Sequence, residues 1–494
     1  MDTKALRQKI LDLAIRGKLV PQDPNDEPAS VLLERIRAEK QQMVKDGKLK
    51  PKDIKNDTVI FKEDDNLHYE KFSDGIVKCI EDEIPFDVPN NWEWVRIKTA
   101  CVINPRNSID DNTEVSFVPM ANIKEGYANK FISDIRVWKK VKKGYTHFAN
   151  NDIGIAKITP CFENKKSVVF SSLINGYGAG TTELYILRTI SSLVIPEYLL
   201  NFVKRDDFIA GGVLTFSGDV GQQRVTKDYV ANYLFTLPPL NEQQRILNAV
   251  HTATSLIESI EKANDNLIRD IDKTKAKILD LAIRGKLVPQ DSNDEPASVL
   301  LERIRAEKEE LIKQGKIKRD KKESVIFKGD DNSYYEKYGE KLPSGWVVTN
   351  FETLLSYEQP TNYIVKDTNY NSDYETPVLT AGKSFILGYT DEKENVFSKL
   401  PVIIFDDFTT ESKFVDFPFK VKSSAMKILH INTDIVLPKF AFYLMQATEI
   451  DHDNHQRYWI STYSQEEIAL PPLKEQERIL SVLEQYFKLL NCLL

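Results

Sequence analysis

Apolar side chains recur in alternating steps of four and three residues through the middle of the chain. The spacing persists for five heptads, which is the pattern of a helix that packs in a coiled coil. "LPPL" precedes the run and Gly285 follows it, so we predict one helix from about Asn241 to Arg284, roughly 65 Å long at about 1.5 Å per residue. The predicted seam positions are Ile246, Val250, Ala253, Ile257, Ile260, Asn264, Leu267, Ile271, Thr274, Ile278 and Leu281.

Two shorter segments carry the same spacing and could pack against this helix. The seam positions predicted in them are Leu6, Ile10 and Leu13 near the start of the chain, and Ile479, Leu483, Tyr486, Leu490 and Leu493 near its end. An isolated apolar stripe is also typical of core packing in one globular domain. The length of the seam and the partner segments favour the coiled coil, in which Asn264 is expected to set the register.

The regions between these helices have a different pattern. In residues 91–236 and 344–469, short runs of β-branched and aromatic residues alternate with helical pieces. The two regions begin with similar phrases, "VPNNWEWVRI" at 88–97 and "LPSGWVVTNF" at 342–351, although they share little further sequence. We therefore predict two α+β domains with related folds.

Parts of the helical pattern are written twice. Residues 9–40 return as residues 277–308 with 31 of 32 positions identical, and "LPPLNEQQRIL" at 237–247 returns as "LPPLKEQERIL" at 470–480. The two shifts, 268 and 233 residues, differ, so two separate blocks are repeated. The order is half a module, variable region, whole module, variable region, half a module. This order predicts a circular, pseudo-twofold arrangement in which the chain ends are neighbours.

The predicted fold class is therefore α+β, with two globular domains separated by long antiparallel coiled-coil helices. The predicted segments are 1–50 for the N-terminal half of the repeated helical module, 88–238 for the first domain, 239–320 for the central helical spacer, 342–469 for the second domain and 470–494 for the C-terminal half of the module.

Composition limits the class of protein. A chain of 494 residues with 41% apolar residues can form roughly three domains. It contains no run of eighteen apolar residues and begins with a charged segment, so we predict neither a membrane span nor a signal peptide and expect a cytoplasmic protein. The four cysteines form no CxxC pair, and neither a disulfide framework nor a zinc site is expected.

The net charge of −7 disfavours nucleic-acid binding by the chain as a whole, but the charge is uneven. Residues 91–236 hold 18 Lys and Arg against 14 Asp and Glu, whereas residues 344–469 hold 10 against 18. A polyanion site must therefore be a local patch, and a partner protein can supply part of the phosphate contact.

No catalytic motif is complete. "AGKS" at 381–384 lacks the first glycine of a phosphate loop, because that position is Pro377. A second cluster imitates the site of a metal-dependent nuclease and consists of Asp406, Asp407, Glu411 and Lys413. Its acids lie too close along one short loop to predict a metal cage. We predict no catalytic residue and no metal site.

Polar and basic side chains near predicted loop tips are the remaining candidates for chemistry. Gln can pair with adenine and Arg with guanine in the major groove, and Lys suits phosphates. The candidates in the first region are Lys157, Asn164, Lys165 and Lys166, which stand near Phe162 in the sequence, and Gln222, Gln223 and Arg224, which follow glycines. Those in the second region are Lys383, Tyr389, Lys413, Lys420, Lys422, Ser424, Arg457 and Tyr458, with His455 and Gln456 beside the last two. Lys420, Lys422 and Ser424 are expected on one face of a strand. Taken singly, each residue is also typical of a solvated surface.

Several motifs together resemble the specificity subunit of type I restriction-modification systems over essentially the whole chain. They are the duplicated "LDLAIRGKLVPQD" and "LPPL.EQ.RIL", "KITPCFEN" at 157–164, "GQQRV" at 221–225, "LTAGKSFILGYT" at 379–390 and "IIFDDFTT" at 403–410. The resemblance implies that each variable region is a target recognition domain that reads one half of a split site in double-stranded DNA. The repeated helices would hold the halves apart and dock two methyltransferase subunits.

The resemblance further implies that two restriction and motor subunits join through the complex, that adenine is methylated, and that the chain itself is not an enzyme. S-adenosylmethionine, ATP and Mg are expected on the partner subunits only. Two other functions remain compatible with the residues. A symmetric helical adaptor for two protein partners would show no sequence-dependent DNA retention, and a self-sufficient nuclease would show metal-dependent cleavage by the isolated chain.

Overall fold

The chain folds into two compact units, Met1–Ala263 and Asn264–Leu494, each of which mixes helices with strands. This confirms the α+β class. The computed structural model describes residues 2–219, 222–315, 342–380, 384–448 and 458–494. The pseudo-twofold relation between the units and the proximity of the chain ends stay predictions.

The long central helix is present as expected. It is continuous over 44 residues and begins and ends within one residue of the predicted limits. The helices of the repeated blocks are α1 (Thr3–Ile15), α2 (Ala29–Lys45), α9 (Leu240–Ile283), α10 (Ala297–Lys313) and α14 (Leu473–Asn491).

Two shorter helices run antiparallel to α9, one in each unit. Near the start of α1, the Arg7 guanidinium lies 3.0 Å from the Glu261 carboxylate, whereas Leu11 further along packs with Val250. In the second unit, the end of α14 contacts α9 at Lys275, while its earlier residues share a core with the last turns of α9. These contacts confirm the predicted antiparallel helix pairs.

Only part of the predicted seam is buried. Ile246, Val250, Ile257, Ile271, Ile479 and Leu483 are at most 4% exposed, whereas Ile278, Leu281 and Leu490 are half-buried. Ile260 and Leu267 are 41% and 39% exposed, and Asn264 and Thr274 are also exposed, so these positions do not form a buried seam as predicted. The exposure of Asn264 and Leu267 agrees with the lengths of the covering helices, because α1 begins opposite residue 261 and α14 ends opposite residue 275, although Ile271 is buried within this interval.

The apolar face of α1 also differs from the prediction. Leu11, Ala14 and Ile15 are buried, whereas Leu6 is 38% exposed and Leu13 is half-buried. The helix packs against the first domain as well as against α9, so its buried face is rotated relative to the predicted seam. In α14, Tyr486 is exposed, and Leu493 lies beyond the end of the helix.

The first domain contains a two-stranded and two four-stranded sheets. Its elements are β4 (Glu93–Arg96), α4 (Ile97–Ala100), β5 (Cys101–Ile103), β6 (Glu114–Val118), β7 (Asp134–Val137), α5 (Trp138–Val141), β8 (Thr146–Ala149), β9 (Ile153–Ala156), β10 (Ser167–Val169), β11 (Tyr177–Gly180), β12 (Leu184–Thr189), α6 (Pro196–Val203), α7 (Asp206–Val213), α8 (Lys227–Asn232) and β13 (Leu234–Leu237). Strand β4 pairs with β13, and the larger sheets have the orders β10-β9-β12-β5 and β7-β6-β11-β8, with β6 and β11 parallel.

The second domain repeats most of this topology, except that its sheet with the parallel pair has three strands instead of four. Its elements are β14 (Val347–Asn350), α11 (Phe351–Leu354), β15 (Leu355–Glu358), β16 (Thr376–Leu379), β17 (Ile386–Thr390), β18 (Val402–Asp406), β19 (Ser412–Val415), β20 (Lys420–Val421), β21 (Met426–Ile431), α12 (Pro438–Ala447), α13 (Tyr458–Ser461) and β22 (Glu467–Leu470). Strand β14 pairs with β22, the order β19-β18-β21-β15 matches β10-β9-β12-β5, and β16 and β20 form a parallel pair. The related folds predicted from the opening phrases are confirmed.

A small sheet between the helices and the first domain was not predicted. A short helix α3 (Pro51–Ile54) precedes its three antiparallel strands, β1 (Val59–Lys62), β2 (His68–Lys71) and β3 (Val77–Cys79). The buried Arg96 guanidinium joins this sheet to β4 through hydrogen bonds of 2.9 and 2.6 Å to the Glu70 carboxylate and 2.8 Å to Glu83. None of the helices in the described part of the chain is long and apolar enough to cross a membrane.

In each unit, one copy of each repeated block assembles with the other. In the first unit, the buried Glu242 carboxylate accepts hydrogen bonds from Gln22 Nε2 at 2.6 Å and Trp92 Nε1 at 2.9 Å. In the second, Glu475 accepts from Gln290 Nε2 at 3.1 Å and Trp346 Nε1 at 3.0 Å. Burial raises the pKa of both glutamates, and the hydrogen bonds oppose this shift.

A neighbouring glutamine attaches each block to its domain. Gln243 Oε1 accepts the backbone N–H of Ile195 at 2.9 Å, and Gln476 Oε1 accepts that of Leu437 at 2.8 Å. These two backbone groups begin helices α6 and α12, whose first N–H groups lack partners within the helix. Each domain is therefore held at the same two points by its own complete helical module, α1, α2 and the start of α9 in the first unit, and the end of α9, α10 and α14 in the second.

Gly17 and Gly285 mark where each module contacts its domain. Both have positive φ, +65° and +64°, at the ends of α1 and α9, as expected for residues that terminate a helix. A Cβ atom on either glycine would lie 2.4 Å from a proline Cγ, that of Pro89 or Pro343, just before the first strand of the domain. Glycine is thus required both by the backbone conformation and by the close packing.

Candidate nucleic-acid interface

Two of the predicted motifs of the first domain meet in space. The loop after β9 and the loop before α8 are joined by backbone hydrogen bonds of 2.9 Å from Thr159 N–H to Gln223 O and from Val225 N–H to Lys157 O. About sixty residues separate the motifs in the chain, so only the tertiary fold brings them together. We name the described residues 157–159, 217–219 and 222–225 the paired loops.

An ion pair holds the second of the paired loops in place. Arg224 donates from Nε and Nη2 to the Glu183 carboxylate at 2.8 and 2.9 Å, and from Nη1 to the Gln222 carbonyl at 2.8 Å. The hydrogen bonds from Arg224 lower the pKa of Glu183, with burial opposing them. The guanidinium is thus engaged with Glu183 while 38% of its side chain stays exposed, and its role as a group that reads guanine stays a prediction.

Lys157, Gln222 and Gln223 remain accessible on the paired loops. Gln222 is exposed and Gln223 half-buried. The Lys157 ammonium lies 5.5 Å from the ring centroid of Tyr185, whose hydroxyl donates to the Val225 carbonyl at 3.0 Å. These residues offer a cation for phosphates and two amides for base edges.

The rest of the "KITPCFENKK" segment divides between surface and core. Asn164 is exposed and Lys166 half-buried, whereas Lys165 is buried. Lys165 forms an ion pair with Asp206 and donates to the Tyr127 hydroxyl at 3.1 Å, so its prediction as a DNA contact is wrong. Phe162 is 1% exposed in the hydrophobic core and offers no stacking surface.

A cleft of about 270 Å³ has Lys157 in its wall. Residues that the sequence analysis did not single out form much of its wall, including Asn104, Arg106, Tyr145, His147 and Thr182. The available sequence signal was the basic run "WKKVKKG" at 138–144, which leads into this wall. The position of Arg106 carried no signal of its own.

The second domain has the same junction with different side chains. Tyr458 N–H donates to the Asp407 carbonyl at 3.0 Å, the counterpart of the bond from Val225 to Lys157. This equivalence aligns "QQRV" at 222–225 with "HQRY" at 455–458. Four candidates of this domain lie outside the described residues: His455, Gln456 and Arg457, and also Lys383 in the "AGKS" segment.

Several candidates of the second domain are internal. Lys420 is 2% exposed, 3.1 Å from the Glu392 carboxylate and 2.8 Å from the Glu394 carbonyl. Tyr458 is 2% exposed in the core. Their prediction as DNA contacts is wrong, because both side chains are enclosed by residues distant in sequence.

The remaining candidates of this domain reach the surface. Lys422 and Ser424 are exposed, but β20 ends at Val421, so they do not share a strand face with Lys420 as predicted. Lys413 and Tyr389 are half-buried, and the Lys413 ammonium lies 3.7 Å from the Glu411 carboxylate.

The acids that imitate a nuclease site have other roles. Asp406 Oδ1 accepts the backbone N–H groups of Phe408 and Thr409 at 2.9 and 3.0 Å, which shapes a turn. Asp407 is buried, 3.4 Å from the Lys427 ammonium. Across the described ranges, no group of three or more His, Cys, Asp or Glu side chains is arranged to hold a metal ion.

Comparison with known proteins points to one family. The sequence profile of the family described as Type I restriction modification DNA specificity domain matches residues 89–269 and 343–493. The chain is 40% identical to the EcoAI and EcoEI type I restriction enzyme specificity subunits of Escherichia coli, over 72% and 69% of its length. These matches cover 62% and 60% of the two relatives, so the chain spans less than two thirds of their length.

A solved structure shows the same fold. One chain of a structure concerning complex assembly and conformational transition of the type I R-M system superposes with a TM-score of 0.54. The superposition covers 83% of this chain and 93% of that chain at 17% sequence identity, so the similarity concerns the fold alone.

Proposed function

Because the chain belongs to the type I restriction modification DNA specificity domain family, we propose that it is the non-catalytic subunit that reads a bipartite site in double-stranded DNA. It directs adenine methylation and restriction by partner subunits to that site. The observation that carries this proposal is the presence of two domains with the same strand order, each held by its own copy of the helical module.

The differences between the domains match the need to read two different half-sites. At equivalent backbone positions the first domain has Lys157 and the second has Asp407, and the regions around them differ in net charge. Base readout depends on side chains at the groove, whereas the scaffold only positions them. The two domains share a scaffold but differ in their loop side chains. This supports the proposal that each domain reads one half-site.

The helical modules are proposed to dock the partners. Residues 9–40 and 277–308 are identical at 31 of 32 positions, the single difference being the exposed pair Pro24 and Ser292, and two nearly equal surfaces suit two copies of one partner. We propose two methyltransferase subunits bound to the modules and two restriction subunits bound through the complex. S-adenosylmethionine, ATP and Mg are assigned to these partners, and the cytoplasmic location stays a prediction.

The test is methylation by the assembled complex. The chain and its methyltransferase partner, with S-adenosylmethionine, should methylate unmodified genomic DNA at adenines in one split sequence with a fixed gap. Replacing residues 91–236 by those of a relative should change one half of that sequence and preserve the other. Replacing residues 344–469 is the matched control and should change the opposite half.

Two results would contradict the proposal. Methylation without sequence preference would favour the adaptor function, in which the domains bind only protein. A simultaneous change of both halves after one exchange would refute the assignment of one domain to each half-site.

A further inference from the structure

The cleft beside the paired loops has an unusual charge for this chain. Arg106 and Lys157 lie on its wall, and no described residue of the wall is a carboxylate, although the chain carries seven net negative charges. Neither cation lies within 4 Å of a carboxylate in the described ranges. The cleft is therefore a concentrated positive site in an acidic protein.

Each cation is held without being neutralised. Arg106 is exposed and donates from Nη1 to the Tyr145 carbonyl at 3.2 Å, which leaves its other N–H groups available. Lys157 contacts the face of Tyr185 and lies near Glu183, but the two oxygens of Glu183 accept hydrogen bonds from Arg224. Arg224 thus occupies both oxygens of Glu183, and Lys157 interacts with this carboxylate only through a longer-range attraction, without an ion pair of its own.

His147 forms a neutral part of the wall. Its Nδ1 accepts the backbone N–H of Asn107 at 3.4 Å, so Nε2 carries the proton and faces the Lys142 carbonyl at 3.1 Å. Burial lowers the pKa of His147, and the nearby Arg106 lowers it further. Both ring nitrogens of His147 therefore have hydrogen-bond partners within the domain. Arg106 and Lys157 are the positively charged side chains of the described wall that can contact a ligand.

We propose that this cleft binds a backbone phosphate of the DNA duplex, with Arg106 and Lys157 on its oxygens. Arg224 is a positioning residue that neutralises Glu183 and keeps the paired loops together. The proposal rests on the proposed function and deepens it, because it separates phosphate contacts at the cleft from base readout by Gln222 and Gln223 on the adjoining loops. A planar guanidinium and an ammonium are the side chains that suit phosphate oxygens.

The experiment uses the complex of the full chain with its methyltransferase partner. Arg106→Gln and Lys157→Gln are compared with Lys71→Gln, which removes the same charge from an exposed site on β2, outside the cleft and the helical modules. Dissociation constants for a duplex with the methylated sequence and for an unrelated duplex are measured between 50 and 200 mM salt. Thermal unfolding and the yield of complex check that each variant folds and assembles.

Loss of one phosphate contact should reduce the slope of log affinity against log salt by about 0.9. Over a fourfold change in salt, the affinity of the wild-type complex should therefore fall about 3.5-fold more than that of either cleft variant. The reduction should be equal for both duplexes and absent in Lys71→Gln. Lys157→Arg should keep the wild-type slope, because it keeps a cation at the same place.

Three outcomes would overturn the inference. Slopes equal to that of Lys71→Gln would show that no phosphate binds in the cleft. A preference changed at one base pair would show that the side chain reads a base. The third outcome is that the wild-type complex binds inorganic phosphate saturably, that the cleft variants lose this binding, and that their salt slope for the duplex stays at the wild-type value. It would show that the cleft binds a free anion and not a DNA phosphate. If the wild-type complex binds no duplex at all, the proposed function has failed instead.

Discussion

The two helical modules allow a prediction with an internal control. In the first unit the Arg245 guanidinium lies 2.6 Å from the Asp26 carboxylate, and in the second Arg478 lies 2.6 Å from Asp294. Both carboxylates are 4% exposed, and both guanidinium groups are about one third exposed. Asp26→Asn and Asp294→Asn should therefore weaken the two modules separately and to a similar extent.

The magnitude follows from this geometry. A hydrogen bond to a charged, buried partner contributes about 1.5–3 kcal/mol. Water reaches the arginine in both pairs and compensates part of the loss, and asparagine keeps one acceptor, so we expect a loss of about 1–2 kcal/mol in each module. This corresponds to a rise of about 5- to 30-fold in the equilibrium constant for local opening.

Hydrogen–deuterium exchange of the full chain is the appropriate assay. Asp26→Asn should accelerate exchange in residues 237–247 by that factor and leave residues 470–480 unchanged, whereas Asp294→Asn should do the reverse. Glu34→Gln, an exposed change on α2, controls for loss of a charge. Equal acceleration of both segments by one variant, or an effect in only one of the two modules, would refute the reasoning that two equivalent modules open independently.

Three further predictions concern the sheet, the loops and the spacer. Glu70→Ala should destabilise the first unit by about 2–4 kcal/mol, because it leaves the buried Arg96 with Glu83 alone. Burial raises the pKa of Glu70, but the hydrogen bonds and the neighbouring positive charges, led by Arg96, together outweigh it and lower the pKa overall. This stabilisation is therefore present above pH about 4.3 and is lost as the pH falls through the folded-state pKa, which acid titration of wild type and variant measures. Glu183→Gln should reduce discrimination between the methylated sequence and single-base mismatches in the first half-site only, and normal discrimination would exclude the positioning role of Arg224. Inserting four residues within 270–277 adds about 6 Å of helix, and DNA rises about 3.4 Å per base pair, so the preferred gap between the half-sites should grow by one or two base pairs. Methylation assays on duplexes that differ only in this gap measure the change. An unchanged optimum would show that α9 does not set the gap.

The elements with strong local signals were the ones that the sequence predicted well. The heptad spacing and its flanking LPPL and Gly285 located α9 to within one residue at each end. The repeats predicted which segments form a module, and the contacts of Glu242 and Glu475 show both blocks assembled in each unit. These features depend on short-range periodicity and on duplication, both of which can be read from a linear sequence.

The positions of charged side chains could not be read in this way. Lys157 and Lys165 stand in one basic segment, yet one reaches the surface and the other is buried against Asp206, about forty residues later. Lys420 was assigned to a polar strand face, but Glu392 encloses it. A lysine is buried only when a partner from another part of the fold satisfies it, so the outcome depends on contacts that local sequence does not record.

The sequence by itself determined the helices, the duplication and the presence of two α+β domains, because periodicity and repetition are properties of neighbouring positions. Only the tertiary structure decided how far the seam of α9 is buried and which cations face solvent. It also placed Arg106 in the same cleft wall as Lys157 and paired Arg224 with Glu183. Both results follow from the same physics: burial and ion pairing are settled between side chains that lie tens of residues apart, where the fold sets the distance and the sequence spacing does not.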